Sequence, residues 1–253
     1  VSVEAAKALL ARVYLIKGEK TLAKQYAMEV INSGKFAIES NYANMFTTPY
    51  NSREHIFKIA NTKTEGDNSL DFFLLHPTMP GGGRAELPVD ESLISAYEDG
   101  DQRKAASVQE IKAPVANPGW YAKKYQDPEG NGEHPYYILR LSEMYLIIAE
   151  CDLTTLPSNA LTNINIVRKN RGLGNLTSVT LSDIIKERRV EFAFENLRWM
   201  DMKRTPSPSN PSKSMAAVFL EAKKRTVNDQ LYPIPQSAIN TNPKLLPNNP
   251  GYN

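Results

Sequence analysis

The sequence predicts a mainly α protein in which tetratricopeptide-like helical hairpins form a scaffold that carries an irregular, loop-rich lobe with a few short strands. Apolar residues recur at three-to-four spacing in residues 3–34 and again in 138–199, the period of helices with one buried face. Residues 35–137, between them, are crowded with Gly, Pro and Asn and hold only brief strand-like runs. Small residues sit at the positions where paired helices must approach closely.

The first hairpin is marked by Ala6, Leu9, Leu10, Val13 and Tyr14, then by Ala23, Ala27, Val30 and Ile31, with Gly18 at the turn. Ala11, Tyr14, Gly18, Ala23 and Ala27 have the offsets of a tetratricopeptide unit, whose tyrosine fills the groove between neighbouring hairpins. One such unit cannot bury both its faces, so partner hairpins are expected further along. In the loop-rich stretch, residues 55–60 and 120–125 read as strands. Alternation puts Trp120 and Ala122 on one face and Tyr121, Lys123 and Tyr125 on the other, with one face packed inward.

A second hairpin follows. Ile138, Leu141, Tyr145, Ile148 and Ala149 form its first stripe; Pro157-Ser158 start its second helix, which carries Leu161, Ile164 and Val167 and ends at Gly172. Thr180 and Asp183 then form a capping box for one long helix through Ile184, Ile185, Phe192 and Trp199, stopped at Pro206. After a Pro/Ser-rich stretch at 206–212 come a helix near 215–224 and the run Leu231-Tyr232-Pro233-Ile234-Pro235, which suits an extended edge. The expected organisation is a hairpin at 1–34, a ligand-binding lobe at 35–137, scaffold helices at 138–205 and a segment at 206–253 packing back on the scaffold, all one unit.

Lys+Arg 30 against Asp+Glu 28 leaves a net charge of +2, with no strong field to hold nucleic acid or an anionic bilayer. The single cysteine, Cys151, forms no disulfide framework and no metal cluster. The densest apolar stretch, around 145–149, falls far short of the roughly 20 residues that span a bilayer. The chain opens on Val1-Ser2-Val3-Glu4 and enters a helix at once, as expected of a cut inside a longer protein.

The segments ALLARVYLIKG with LAKQYAMEVINSGKF, REHIFKI, LRLSEMYLIIAEC, ALTNINIVRKNRGL, IIKERRVEFAFENLRWMDMKR and LYPIPQSAINTNPKLLPNNPGYN together resemble, in order and over nearly the whole chain, the SusD/RagB family of Bacteroidetes lipoproteins. The helix around Glu187-Arg188-Arg189 and the Pro-Ile-Pro to Asn-Pro-Gly-Tyr ending are the most specific pieces. The resemblance implies a nutrient-uptake role: binding of glycans at the outward face of the outer membrane, through a lipid anchor on an upstream cysteine. It also implies delivery to a TonB-dependent, SusC-like transporter as partner, within a polysaccharide-utilisation system. No cofactor, metal or catalysis is implied. A peptide-binding subunit of the same kind of import system, and a tetratricopeptide-like protein-interaction scaffold, are the alternatives.

Glu191 and Glu195 are four residues apart on one helix face and superficially suggest a glycosidase pair. Arg188 with Glu191, Glu195 with Arg198 and Arg198 with Asp201 instead predict structural ion pairing along the helix. His55, His76 and His134 have no partners at metal-ligand spacing, and DPEGNGE at 127–133 lacks the frame of an EF-hand and reads as an acidic turn. The loop segment 68–84 is the expected ligand site: Phe72, Phe73 and His76 as rings, Asp71 and Arg84 as polar partners, and Trp120 as a second platform. Sugars present flat C–H faces that stack on exposed rings, while their hydroxyls need polar partners.

Overall fold

Small side chains decide how the scaffold helices meet. Helix α1 (Val3–Lys17) begins under Ser2, whose side chain accepts the Ala5 N–H at 3.1 Å, and ends on Gly18 in the left-handed region at φ 81°. It turns directly into α2 (Lys20–Asn32). The computed structural model describes residues 2–47, 50–62, 64, 70–126 and 134–252, and divides the chain into two units, 1–197 and 198–253.

The lobe starts with a short 3-10 turn (Tyr42–Phe46) and strand β1 (His55–Ile59). Three short helices follow, α3 (Leu70–Leu74), α4 (Glu91–Ile94) and α5 (Gln102–Ser107). Strands β2 (Val108–Ile111) and β3 (Gly119–Ala122) form an antiparallel hairpin, and β4 (Tyr136–Arg140) returns antiparallel to β1, with Lys58 opposite Tyr137. The β1/β4 pair closes the lobe at its base. Ile138 is therefore a strand residue rather than the first of a helix stripe, because β4 runs straight into α6 (Leu141–Asp152).

Helix α6 is buried at every position but Tyr145, which makes it the centre of the first unit. One side meets Ala5, Ala8, Ala11, Ala23 and Ala27 through Leu141, Met144, Ile147, Ile148 and Cys151, where methyl-sized side chains allow close approach. Tyr14 and Tyr26 stack beside this contact, ring centroids 5.7 Å apart. The opposite side, Leu146 and Ala149, meets Ile164 and Val167 of α7 (Pro157–Lys169) and Ile184 of α8 (Leu181–Glu191). Arg12 clamps Glu143 at 2.6 and 2.8 Å, and Lys24 reaches Asp152 at 2.6 Å, tying the first hairpin to α6.

Two sequence expectations change. The capping box of Thr180 and Asp183 forms, but the helix it starts stops at Glu191 instead of running to Trp199. Phe194 and Asn196 take left-handed conformations, at φ 67° and 62°, and the carbonyls released by the break are taken by buried donors. Tyr42 Oη donates to Glu191 O, Lys124 Nζ to Ala193 O and Tyr125 Oη to Phe194 O. On β3, both faces are covered rather than one. Tyr121 packs with Leu75, Met79 and Ile111, while Trp120 leans on Ile94, Tyr97, Val108 and Val190.

The second unit comprises α9 (Arg198–Arg204), a hairpin of β5 (Pro206–Ser207) and β6 (Asn210–Ser214), α10 (Met215–Ala222) and α11 (Gln236–Thr241). The run 231–235 is extended. Its backbone groups bond to side chains near the chain end: Ile234 N–H donates to Asn248 Oδ1 at 2.8 Å, Asn249 Nδ2 to Tyr232 O at 2.6 Å and Tyr252 Oη to Leu231 O at 3.0 Å. Pairing through side chains leaves room for the prolines, which no ladder would accept.

If alanine size sets the α2 to α6 spacing, Ala27→Leu overpacks the joint and lowers unfolding free energy by about 1–3 kcal/mol in urea titrations. An unchanged midpoint would contradict that packing.

Candidate ligand-binding site

The exposed aromatics of the lobe depend on a buried charge cluster beneath them. Glu191, at the end of α8, accepts from guanidiniums on separate elements. These are Arg103 on α5 at 3.1 Å, Arg140 at the β4–α6 junction at 2.8 Å and Arg171 after α7 at 2.9 and 3.0 Å. Arg140 also pairs with Glu54 and Glu195, Arg171 with Glu54, and Arg103 with Asp101 and Glu187. Burial alone would raise the Glu191 carboxyl, but Arg171, Arg140 and Arg103 outweigh it and hold it well below its ordinary range. Lys124, also buried, contacts Glu195 at 2.7 Å; desolvation pulls its ammonium down to about 8 despite that carboxylate. The pairing of this helix is thus structural, as its charges predict. The partners of Glu191 and Glu195 named here are distant in sequence and buried.

On this base, α3 is set by Leu70 and Leu74, which pack on the cluster of Tyr42, Met45, Phe46, Tyr125 and Tyr137. Phe72 and Phe73 are left facing outward, 45% and 39% exposed, as an edge-to-face pair 5.2 Å apart. The returning chain is fixed by Arg84 N–H to Phe72 O and Ala85 N–H to Leu75 O. Gly82 permits that return, since a Cβ there would lie 2.8 Å from Pro77 O. The Arg84 guanidinium lies 5.3 Å from the Phe72 ring centroid and pairs with Glu86 at 2.6 Å.

The other site residues are placed differently. His76 is 2% exposed and props the segment from beneath. Its Nδ1 accepts the Thr78 N–H at 3.2 Å, which leaves the proton on Nε2 to donate to Ala116 O at 2.9 Å. That burial removes His76 from the surface offered to a ligand. Trp120 is half-buried under Lys104, whose Nζ lies 5.4 Å from the ring centroid, and packs in a different cluster from Leu75 and Tyr121. Phe72, Phe73 and Arg84 are thus brought together, and Trp120 stands apart. The side chain of Asp71 and the acidic turn 127–133 lie outside the described residues. Among the described residues no group of three or more His, Cys, Asp or Glu could hold a metal ion, and no helix is long and apolar enough to cross a membrane.

Two depressions flank α5. The larger, about 670 Å³, is bounded by Asn41, Phe46, Tyr50, Gln102, Lys123 and Gln126, among others. The smaller, about 360 Å³, holds Trp120 and Lys104 against Glu98, Asp99 and Asp101. Neither depression is legible in the sequence, because the walls of the larger come from three separated stretches and those of the smaller from two, with no shared period.

The model of the SusD family matches residues 102–252. A SusD-like protein of Bacteroides ovatus is 27% identical over an alignment covering 78% of this chain and 45% of the relative. A laminarin-binding SusD-like protein of known structure superposes with a TM-score of 0.84 at 26% identity, covering 100% of this chain and 63% of that one. A surface glycan-binding protein A from Bacteroides thetaiotaomicron, solved in complex with laminarihexaose, gives 0.77 at 21% identity, covering 98% and 64%. The chain spans about half the length of the curated relatives it matches.

Removing one partner from the buried cluster leaves charges uncompensated, so Glu191→Ala should cost about 3–5 kcal/mol of unfolding free energy, measured in guanidinium chloride. Glu98, held at about 2 first by its hydrogen bond with Arg168 and then, against burial, by Lys186, carries a depressed carboxyl. Its stabilisation is therefore present above the ordinary value of 4.5 and lost as pH falls toward about 2. Glu98→Gln should flatten the acid limb of a thermal-midpoint profile over that window.

Proposed function

Because this chain belongs to the SusD family, we propose that it binds glycans on the exposed aromatic surface of its lobe and performs no chemistry on them. The observation that carries this reading is the outward-facing pair of Phe72 and Phe73 with Arg84 beside it. Such rings on a rigidly backed segment offer the C–H face of a sugar ring a flat partner, and Arg84 offers donors to its hydroxyls. The named ligands of the structural relatives, laminarin and laminarihexaose, make a glucan the first candidate. Asp71 and the half-buried Trp120 are proposed as secondary contacts.

Glu191 and Glu195, the carboxylates that could suggest hydrolysis, support the non-catalytic reading. Glu191 is fully buried and the Glu195 side chain is 4% exposed, and both carboxyls are held below the ordinary range, so neither keeps the proton a general acid needs. Family membership extends the proposal to the setting: a lipid-anchored, outward-facing protein of the outer membrane that passes its ligand to a SusC-like, TonB-dependent transporter.

Affinity-gel retardation on laminarin and other polysaccharides, followed by calorimetry, tests the reading. Replacing Phe72 and Phe73 together by Ala should weaken binding at least about tenfold, since stacking on an aromatic face contributes roughly 1 kcal/mol per ring. Full binding by that folded variant would displace the site. Silence on all glycans with a calorimetric signal from peptides would favour peptide uptake.

A further inference from the structure

The larger depression beside α5 has a chemistry unlike that of the aromatic pair. Its charged lining residues, Lys123 and Lys124, are both cationic, and no carboxylate belongs to the described lining. Lys124 is neutralised by Glu195 at 2.7 Å and donates to Ala193 O at 2.9 Å. Lys123 is held by its backbone, whose N–H donates to Ser107 O at 2.7 Å, and its side chain has no ion-pair partner among the described residues. Among the described residues, the cleft therefore carries a positive charge, on Lys123, with no carboxylate in its lining.

The remaining polar walls also favour an acceptor. Gln126 Nε2 is shielded from solvent and has no hydrogen-bond partner among the described residues. Asn41 Oδ1 accepts the Ala43 N–H at 3.2 Å, and its side-chain amide N–H groups can donate to a ligand. Phe46, Tyr50, Ala105 and Ala106 supply apolar wall between these donors, in a volume of about 670 Å³, within the range of small-molecule sites.

We propose that this cleft is a separate subsite for an acidic sugar, a uronate unit whose carboxylate pairs with Lys123 while Gln126 and Asn41 donate to its oxygens. The inference rests on the glycan-binding reading and adds a ligand class to it: a charged unit in the cleft, distinct from a neutral ring on Phe72 and Phe73. An ion pair in a recess partly shielded from water discriminates a uronate from its neutral counterpart more sharply than stacking can.

Calorimetry with oligogalacturonate and with a neutral oligoglucan of equal length, at low and moderate salt, tests it. The expected result is uronate binding that weakens with salt, falls at least about tenfold in Lys123→Ala, is partly restored in Lys123→Arg and is unaffected by Phe72→Ala with Phe73→Ala. A loss in Lys123→Ala no greater than in Lys20→Ala, a lysine on the exposed face of α2, would mean general attraction of a polyanion and overturn the proposal. Neutral glucan binding through Phe72 and Phe73 without Lys123-dependent uronate binding would overturn the subsite alone. Silence on every glycan would overturn it together with the reading it rests on.

Discussion

The carboxylate of Glu191, enclosed by Arg103, Arg140 and Arg171, is the interaction on which the first unit depends. Each guanidinium arrives from a different element, so one buried anion fixes α5, the β4–α6 junction and the end of α7 against α8. A charge taken out of water at such cost is stable only while its partners stay in place, which makes the lobe and the scaffold interdependent. The break after Glu191 follows from the same constraint. A continuous helix would keep its own carbonyls, whereas here they satisfy Tyr42, Lys124, Tyr125 and Arg140.

That arrangement turns an irregular stretch into a defined surface. Residues 70–85 have little regular structure of their own, yet Leu70, Leu74, Leu75 and Met79 anchor them from below and His76 ties them to Ala116. With the apolar anchors used inward, Phe72 and Phe73 stay exposed at the surface, where we propose that the glycan binds. A preformed platform loses little conformational freedom on binding, and that matters for a shallow site facing well-solvated hydroxyls.

The scaffold was legible because its signals are local. Ala11, Ala23 and Ala27 lie within one hairpin, and Pro157 and Thr180 announce the helices they start. Ile138 misled because an apolar residue next to a helix stripe fits either period, and only the pairing of β4 with β1 decides between them. The partners of Glu191 escaped notice for a different reason. Arg103 stands 88 residues away and Arg140 51 residues away, and no spacing rule connects them. In the candidate site, Phe72, Phe73 and His76 look equivalent as sequence. Burial separates them, and burial is set by the Tyr121 and Ala116 contacts from a distant hairpin.

We propose that an aromatic surface anchored from below on a SusD-family scaffold receives a glycan. A crystal structure of the chain with a bound oligosaccharide tests it most directly. The expected result is a sugar ring lying against Phe72 and Phe73 with the backbone of residues 70–85 unmoved. A ligand held elsewhere, with those two rings still open to solvent, would contradict it.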